Sequence, residues 1–450
     1  MTDDERRTED RAAGPARILE LAGQLRWNEA ERCAAQTAAL RRLLRTTLGS
    51  SPWHAARLAG IDPDRFELGD LARLPTMTKD DLMEHFEGIV TDRRLSRELV
   101  EEHLRTLHDD GYLLGEYHVL ASGGSSGRRG VFVFDRPAWR TYYASYARFP
   151  LMLAADAALP PAPVFVRIAA DKPTHATMAV GLSFAGADML GLSATWSLDR
   201  LVAALEKAQP DVLLGYTSVI TRLAHEATAG RLRIAPKYVN VTSEPLSRDA
   251  RAAIQRAWPV PLFNGFGTTE GLMGGSCRAG RGIHMSDDLV LIEPVDAAGR
   301  PVAPGAVADK ALLTVLYNTA QPIIRYELTD PLTVLPGTCV CGVTSLRVDD
   351  IEGRSDDCFV YPGGCTIHPL VFRSPLGRTA DVIEYQVQQT ADGADVRVVC
   401  ESPIDVRGLE EALRRALADA GLGAAVVTVT PVESLQRLGT GKLRRFVPLS

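Results

Sequence analysis

Ser122-Gly123-Gly124-Ser125-Ser126-Gly127-Arg128-Arg129-Gly130 lies between two apolar runs and gathers the residue types that wrap a phosphate. Glycines let backbone N–H groups approach a polyanion closely, hydroxyls donate further hydrogen bonds, and guanidinium groups supply charge. The chemistry these residue types suit is nucleotide binding. The loop is not a Walker A motif, which needs Gly, four residues, then Gly-Lys and Ser or Thr, because neither register of its glycines supplies the lysine. A Ser/Gly turn between two strands has a similar composition, so the rest of the chain must decide between the readings.

Five further blocks follow in order: Thr242-Ser243-Glu244-Pro245-Leu246, Asn264-Gly265-Phe266-Gly267-Thr268-Thr269-Glu270-Gly271, Arg325-Tyr326-Glu327-Leu328-Thr329-Asp330, Gly353-Arg354-Ser355-Asp356-Asp357 and Gly439-Thr440-Gly441-Lys442-Leu443-Arg444-Arg445. Together with the loop, this set resembles the adenylate-forming superfamily of acyl-CoA synthetases, adenylation domains and luciferases. Leu74-Pro75, Thr78-Lys79-Asp80-Asp81-Leu82, Cys339-Val340-Cys341-Gly342 and a short C-terminal domain are similar to the phenylacetate-CoA ligase and coenzyme F390 synthetase branch. The resemblance covers residues 70 to 450. The Gly265-Phe266-Gly267 run is no Rossmann fingerprint, for it lacks the third glycine and the acidic residue of a βαβ unit.

The resemblance implies roles that the residue types suit. Phe266, flanked by Gly265 and Gly267, offers a flat face for adenine, Asn264 a hydrogen-bonding edge, and Ser243, Glu244 and Pro245 the turn that borders the base. Thr268 adds a hydroxyl to the nucleotide set. Asp330 suits the ribose hydroxyls, with Arg354 beside it. Glu270 is a hard carboxylate fit for Mg²⁺ next to the phosphates, and Thr269 is its hydroxyl partner. The loop, with Ser122, Gly123, Gly124, Ser125, Ser126, Gly127 and Arg128, becomes a clamp over the β and γ phosphates of ATP. Lys442 is the catalytic cation, standing where a carboxylate and the α-phosphate must meet and stabilising the charge that develops in the transition state.

Cys277, His284, Cys339 and Cys341 are the right types for a Cys₃His zinc site, and members of the branch carry a comparable Cys, Gly-x-His and Cys-x-Cys-Gly pattern. Four protein ligands leave no open position, so such a zinc is structural. Of the other cysteines, Cys33 and Cys400 are expected as buried thiols, while Cys358 and Cys365 flank the hinge with no role assigned.

These groups need elements to hold them. At 450 residues, 46% hydrophobic and 24% charged, the chain has the composition of a globular enzyme with more than one core. The formal charge of -6 speaks against a nucleic-acid partner. The N-terminus has no signal-peptide pattern and no run has the length of a membrane span, so a cytoplasmic, membrane-free location is expected. Residues 1 to about 115 read as helical, with a capped helix after Thr78. Beyond 117, short β-branched runs at 131–134, 164–168, 212–214 and 238–241 alternate with helical stretches at 198–208 and 217–227, which predicts α/β architecture. A strand-rich part covers 289–334. A small α+β unit follows, with strands at 382–388, 395–400 and 425–430 and a helix at 408–418. The expected division is a large ATP- and substrate-binding domain, 1–354, and a mobile lid, 355–450, carrying Lys442.

The function the resemblance implies is ATP-dependent adenylation of a small aromatic or unsaturated carboxylic acid with release of pyrophosphate, then transfer of the acyl group to a thiol such as CoA. Where the branch commonly has Arg-Gly-x-Asn-x-x-Pro after the hinge, this chain has Pro362-Gly363-Gly364-Cys365-Thr366-Ile367-His368-Pro369, without the arginine or the asparagine. Capture by an amine, a carrier-protein thiol or another nitrogen nucleophile, and activation of nitrite, therefore stand as alternatives. A catalytically silent nucleotide-binding protein is the alternative from another class, and Lys442 argues against it. Arg167, His175, Phe184, Trp196, Tyr216 and Thr217 are the candidates for the acyl pocket.

Overall fold

Helices dominate the first hundred residues, and four of them begin at a side chain that caps them: Thr2, Asn28, Thr78 and Ser96. Thr2 with Glu5, and Asn28 with Glu31, close reciprocal capping boxes on α1 (Asp3–Gln24) and α2 (Glu29–Ser50). Short helices follow at α3 (Pro52–Arg57), α4 (Lys79–Glu84), α5 (Phe86–Ile89) and α6 (Arg97–Thr106), with Thr78 and Asp81 forming the box expected at α4. The computed structural model describes residues 2–107, 111–122, 130–154, 157–169, 174–184, 189–194, 196, 198–280, 282–349, 359–363, 365–367, 371–372, 375–376, 379, 381–400, 402–437 and 443–449. Among the described residues no helix is long and apolar enough to cross a membrane.

The phosphate-type loop is the connection of a β-hairpin. β1 (Tyr117–Ala121) and β2 (Val131–Asp135) pair antiparallel, and Ser122 and Gly130 close the hairpin mouth through Ser122 N to Gly130 O (2.9 Å) and Gly130 N to Ser122 Oγ (2.7 Å). Residues 123–129 lie outside the described set. Asp135 then accepts from Ala138 N and starts α7 (Arg136–Ala154), which packs on α1 through buried Asp10, salt-bridged to Arg136 and Arg140.

An eight-stranded sheet forms the centre. Its parallel part comprises β3 (Phe165–Ala169), β4 (Met189–Ser193), β5 (Val212–Tyr216), β6 (Tyr238–Thr242) and β7 (Leu262–Gly267), in the spatial order β7-β6-β5-β3-β4. Helices α8 (Ala176–Ser183), α9 (Leu198–Ala208), α10 (Thr217–Thr228) and α11 (Arg248–Ala257) fall between these strands, as the alternation predicted. β8 (Met273–Ser276), β9 (Ile283–Met285) and the strand Arg347–Val348 extend the sheet antiparallel beyond β7.

Because side chains alternate along a strand, β3, β5 and β6 present two different faces. Val166, Ile168, Leu213, Val239 and Val241 point into a core with α9, α10 and α11. Phe165, Arg167, Val212, Leu214, Tyr216, Tyr238, Asn240 and Thr242 instead line a cavity.

The last part of the chain has its own core. Four strands, Val426–Pro431, Gly393–Cys400, Val382–Gln389 and Phe446–Val447, form one sheet, and the helix Val406–Asp419 lays Leu409, Leu413 and Leu417 against it. Phe359, Phe372, Tyr385 and Phe446 complete this cluster. Residues 350–358, which include the expected boundary and hinge, lie outside the described set.

Candidate functional site

One cavity of about 940 Å³ opens at the C-terminal ends of the parallel strands, where ligands of open α/β sheets commonly bind. Its wall brings together Ser122, the turn Ser243-Glu244-Pro245, and Asn264, Phe266, Gly267, Thr268, Thr269, Glu270 and Asp330. It also includes Thr78 and Lys79, and Leu443, Arg444, Arg445 and Phe446 of the last segment. Residues from Thr78 to Phe446 thus face one volume. Gly123, Gly124, Ser125, Ser126, Gly127, Arg128, Arg354 and Lys442 lie outside the described residues.

Three tyrosines hold the loop that carries Glu270. Tyr142 of α7 donates to Thr268 O (3.0 Å), Tyr317 to Gly271 O (2.8 Å), and Tyr326 to Glu270 Oε1 (3.2 Å). Burial pushes the Tyr142 hydroxyl well above its ordinary range and the Glu270 charge adds to this, so it acts as a fixed donor. Thr268 Oγ1 accepts from Leu272 N (3.2 Å), closing the turn. The turn after β6 is equally constrained: Ser243 has a φ of 67°, a left-handed conformation uncommon for serine.

The block at 325–330 divides its labour. Arg325, itself at a φ of 49°, forms a bidentate pair with Glu293 (both 3.0 Å) and donates to Leu74 O (2.5 Å). Met77 N donates to Arg325 O (3.1 Å) and Glu327 N to Met77 O (2.9 Å), so the 74–81 motif is bound to this block and Thr78 and Lys79 reach the cavity. Arg325 is therefore a clamp, while Asp330 is buried in the wall.

Glu244 joins the large domain to the last segment. Its Oε2 accepts from Ser218 N (2.7 Å), in the first turn of α10, and its Oε1 accepts from Leu443 N (3.2 Å). Beside it, Arg437 donates to buried Glu384 (2.6 Å) and to Ser218 Oγ (3.1 Å), and Arg222 stands 3.6 Å from Glu384. Both oxygens of the Glu244 carboxylate are engaged by main chain.

Phenylacetate-coenzyme A ligase of Thermus thermophilus is 26% identical over 462 residues, covering 92% of this chain and 96% of that protein. The enzyme of the same name from Aromatoleum evansii is 23% identical over 86% of this chain and 87% of its own length. Over nearly its whole length the chain is thus similar to proteins named phenylacetate-coenzyme A ligase, the branch that its ordered motifs resemble. No family model matches the chain. Among solved structures, 2-hydroxyisobutyryl-CoA ligase in its postadenylation state superposes with a TM-score of 0.73 at 20% identity, over 94% of this chain and 90% of that one. The same ligase in complex with an acyl-AMP and CoA, in its thioesterification state, gives 0.59 at 21% identity over the same shares.

The cysteine and histidine reading has a geometry to match. The ligand atoms of Cys277, His284, Cys339 and Cys341 all lie within 4.8 Å of one another, with Cys277 Sγ to Cys339 Sγ at 3.2 Å and Cys341 Sγ to His284 Nε2 at 3.3 Å. A tetrahedral zinc with bonds of 2.0–2.3 Å sets its ligands roughly 3.5 Å apart, so the four fit such an ion. His284 turns Nδ1 toward Ser345 O (3.4 Å), which leaves Nε2 for the metal, and burial lowers its pKa to about 4, favouring the neutral ring. Ala279 N and Arg347 Nη1 each approach a cysteine sulfur at 3.3 Å.

Of the six acyl-pocket candidates, Arg167, His175, Phe184 and Tyr216 line the cavity, and Trp196 and Thr217 do not. Trp196 instead lies under the Arg200 guanidinium at 3.5 Å, and Thr217 Oγ1 donates to Glu244 O (3.0 Å). Cys33 and Cys400 are half-buried rather than buried, because α2 and the last strand sheet each leave an edge in solvent. The sequence reading missed Tyr142, Tyr146 and Asn240, whose spacing on α7 and β6 resembles ordinary core; Tyr146 donates to Asn240 Oδ1 (3.2 Å) across the cavity.

Proposed function

We propose that this protein activates a small carboxylic acid with ATP and passes the acyl group to the thiol of coenzyme A. The observation that carries the reading is the convergence of the 243–245 turn, the 264–270 block, Asp330 and the segment after Lys442 on one cavity. In the first step a carboxylate oxygen bonds to the α-phosphorus as the bond to the β-phosphate bridge breaks, and pyrophosphate leaves. Phe266 and Asn264 receive the adenine, Asp330 and Arg354 the ribose, and residues 122–128 the β and γ phosphates. Glu270, steadied by Tyr326, and Thr269 are the residues that would hold Mg²⁺, which when bound neutralises phosphate charge. Lys442 stabilises the charge that accumulates as the two anions meet.

In the second step the thiolate attacks the acyl carbonyl and AMP leaves, with the 355–450 lid turned about the 353–357 region so that a second surface faces the site. Cys277, His284, Cys339 and Cys341 would hold zinc as a structural tie between the β8–β9 connection and the 339–341 loop.

A specific observation supports a second acceptor. The segment after the hinge is a hairpin, Phe359–Val360 pairing with Thr366–Ile367 around Gly363 at a φ of 87°, and it has neither the arginine nor the asparagine common at this place. A nitrogen nucleophile is the alternative acceptor, with nitrite as the alternative acid. Acid-dependent pyrophosphate release, followed by mass spectrometry of the product with CoA or amines, separates these readings. Lys442→Ala should abolish adenylation while sparing ATP binding; intact pyrophosphate release in that variant overturns the assignment.

A further inference from the structure

Arg167 is the one polar side chain of β3 in the cavity wall, and it stands in the same cross-sheet row as Leu214 of β5 and Asn240 of β6. Phe165, Val212, Leu214, Leu159 and Tyr146 make the surrounding surface largely apolar. The guanidinium finds little there. Nη1 donates to Thr177 O at 3.3 Å, Nη2 touches Met178 Sδ at 3.1 Å, and Nε has no hydrogen-bond partner among the described residues. Burial lowers its pKa, and among the described residues Tyr216 offsets this.

The two buried arginines among the described residues, Arg148 and Arg325, face carboxylates, Asp288 at 2.6 Å and Glu293 at 3.0 Å, and half-buried Arg437 faces Glu384 at 2.6 Å. Half-buried Arg167 has no such pair among the described residues, although it lines the cavity. A desolvated cation with no counter-charge is costly, and an anionic ligand in the cavity would offset that cost. The local sequence also makes room for it. Gly181 sits inside α8, a poor place for glycine, and a Cβ there would stand 2.5 Å from Arg167 Nε and 2.7 Å from Cζ.

We propose that the acid activated at this site carries a second anionic group, a carboxylate in the simplest case, and that Arg167 binds it at the end of the cavity remote from the nucleotide. The inference rests on the acid-activating reading above and names its substrate class. Arg167 lies three strands from β7, a separation of about 14 Å at the usual strand spacing. The guanidinium leans toward α8 and β4, where a Cβ on Gly191 would stand 3.4 Å from Nη2. The apolar wall between Arg167 and Asn240 fits the methylene or aromatic body of a diacid, whose far charged end meets Arg167.

The test compares acids that differ only in the second carboxylate, hexanoate with adipate and phenylacetate with phenylenediacetate, by pyrophosphate release from the full-length wild-type protein. The diacid is expected to be favoured on the order of a hundredfold in kcat/KM. Arg167→Met should erase that preference and Arg167→Lys keep part of it, while Gly181→Ala should raise KM for the diacid by displacing the guanidinium. Preference for the monoacids, unaltered in Arg167→Met, overturns this inference and leaves the ligase reading standing. Absence of pyrophosphate release with every acid overturns the ligase reading instead. In that case calorimetric titration with adipate decides the inference directly: binding lost in Arg167→Met supports it, and no binding by wild type refutes it.

Discussion

Glu244→Gln isolates the contact between the large domain and the segment that follows Lys442. The carboxylate accepts Ser218 N at 2.7 Å through Oε2 and Leu443 N at 3.2 Å through Oε1. Ser218 N belongs to the first turn of α10, where unsatisfied N–H groups and the helix dipole favour an oxygen acceptor. Glutamine has a single carbonyl oxygen, and that oxygen goes to the shorter, helix-supported bond. The amide NH₂ then faces Leu443 N–H, donor against donor. Losing a charged acceptor and leaving a half-buried N–H unpaired costs about 1–3 kcal/mol, which is roughly 5–150-fold in the population with the last segment docked.

On the proposed mechanism adenylation needs that docked segment, and thiol transfer from a preformed acyl adenylate does not. ATP–pyrophosphate exchange in Glu244→Gln should therefore fall by about 5–150-fold, while single-turnover transfer from synthetic acyl adenylate to CoA is unchanged. An equal fall in both halves refutes the reasoning, since it places the damage in the fold or in acyl binding. A rise confined to KM for ATP also refutes it, and returns Glu244 to the role of adenine border alone.

Purified protein is expected to hold about one equivalent of zinc on the four ligands of Cys277, His284, Cys339 and Cys341, as a closed structural site requires, and Cys339→Ser should lose it and lower the unfolding temperature; elemental analysis without zinc ends that reading. His54 is held neutral by burial, its pKa lowered from 6.5 to about 4, with Nε2 donating to Pro322 O. The unfolded chain takes up that proton first, so stability is lost as pH falls from 6.5 toward 4, by about 3 kcal/mol in all. Asp287, pushed up to about 6 by burial, works in the opposite sense, so the measurement is the difference in pH slope between wild type and His54→Asn, and equal slopes refute it. Asp288→Asn strips Arg148 of its bidentate partner in a fully buried position and should cost about 3–5 kcal/mol in denaturant unfolding of the large domain; a loss near zero would mean the pair contributes nothing.

What the sequence made legible is what short-range physics encodes. The Thr78–Asp81 box, the helix Leu198–Ala208 and the strand-loop-strand around Ser122 and Gly130 each follow from neighbours within a few residues. The motifs at 242–246, 264–271 and 325–330 located the cavity because they lie at or beside strand ends, and parallel strands bring such ends to one side of the sheet. Thr217 and Trp196 were misplaced for the same reason in reverse. Both lie near strand ends in sequence, yet Thr217 opens α10 and spends its hydroxyl on Glu244 O, while Trp196 turns to Arg200. Tyr142 and Tyr146 carried no signal at all. Their contacts with Thr268 and Asn240 span 126 and 94 residues, and a tyrosine on an apolar helix face has the pattern of any core residue.

The strand order also gives the cavity a direction that no single motif contains. Glu244, Glu270 and Asp330 cluster where β6 and β7 end, and Arg167 stands across β5 on β3. An anionic acid approaching the three carboxylates is repelled unless cations intervene, so the nucleotide end is chemically incomplete without the lysine brought by the last segment. Arg167 acts on the opposite end of the same substrate, attracting charge away from that acidic cluster and aligning the acid along the row from β3 to β6. The two cations thus have separable effects. On the roles proposed above, Lys442 governs whether an acid reacts, through kcat, and Arg167 which acid is held in line for it, through the ratio of kcat/KM between diacid and monoacid.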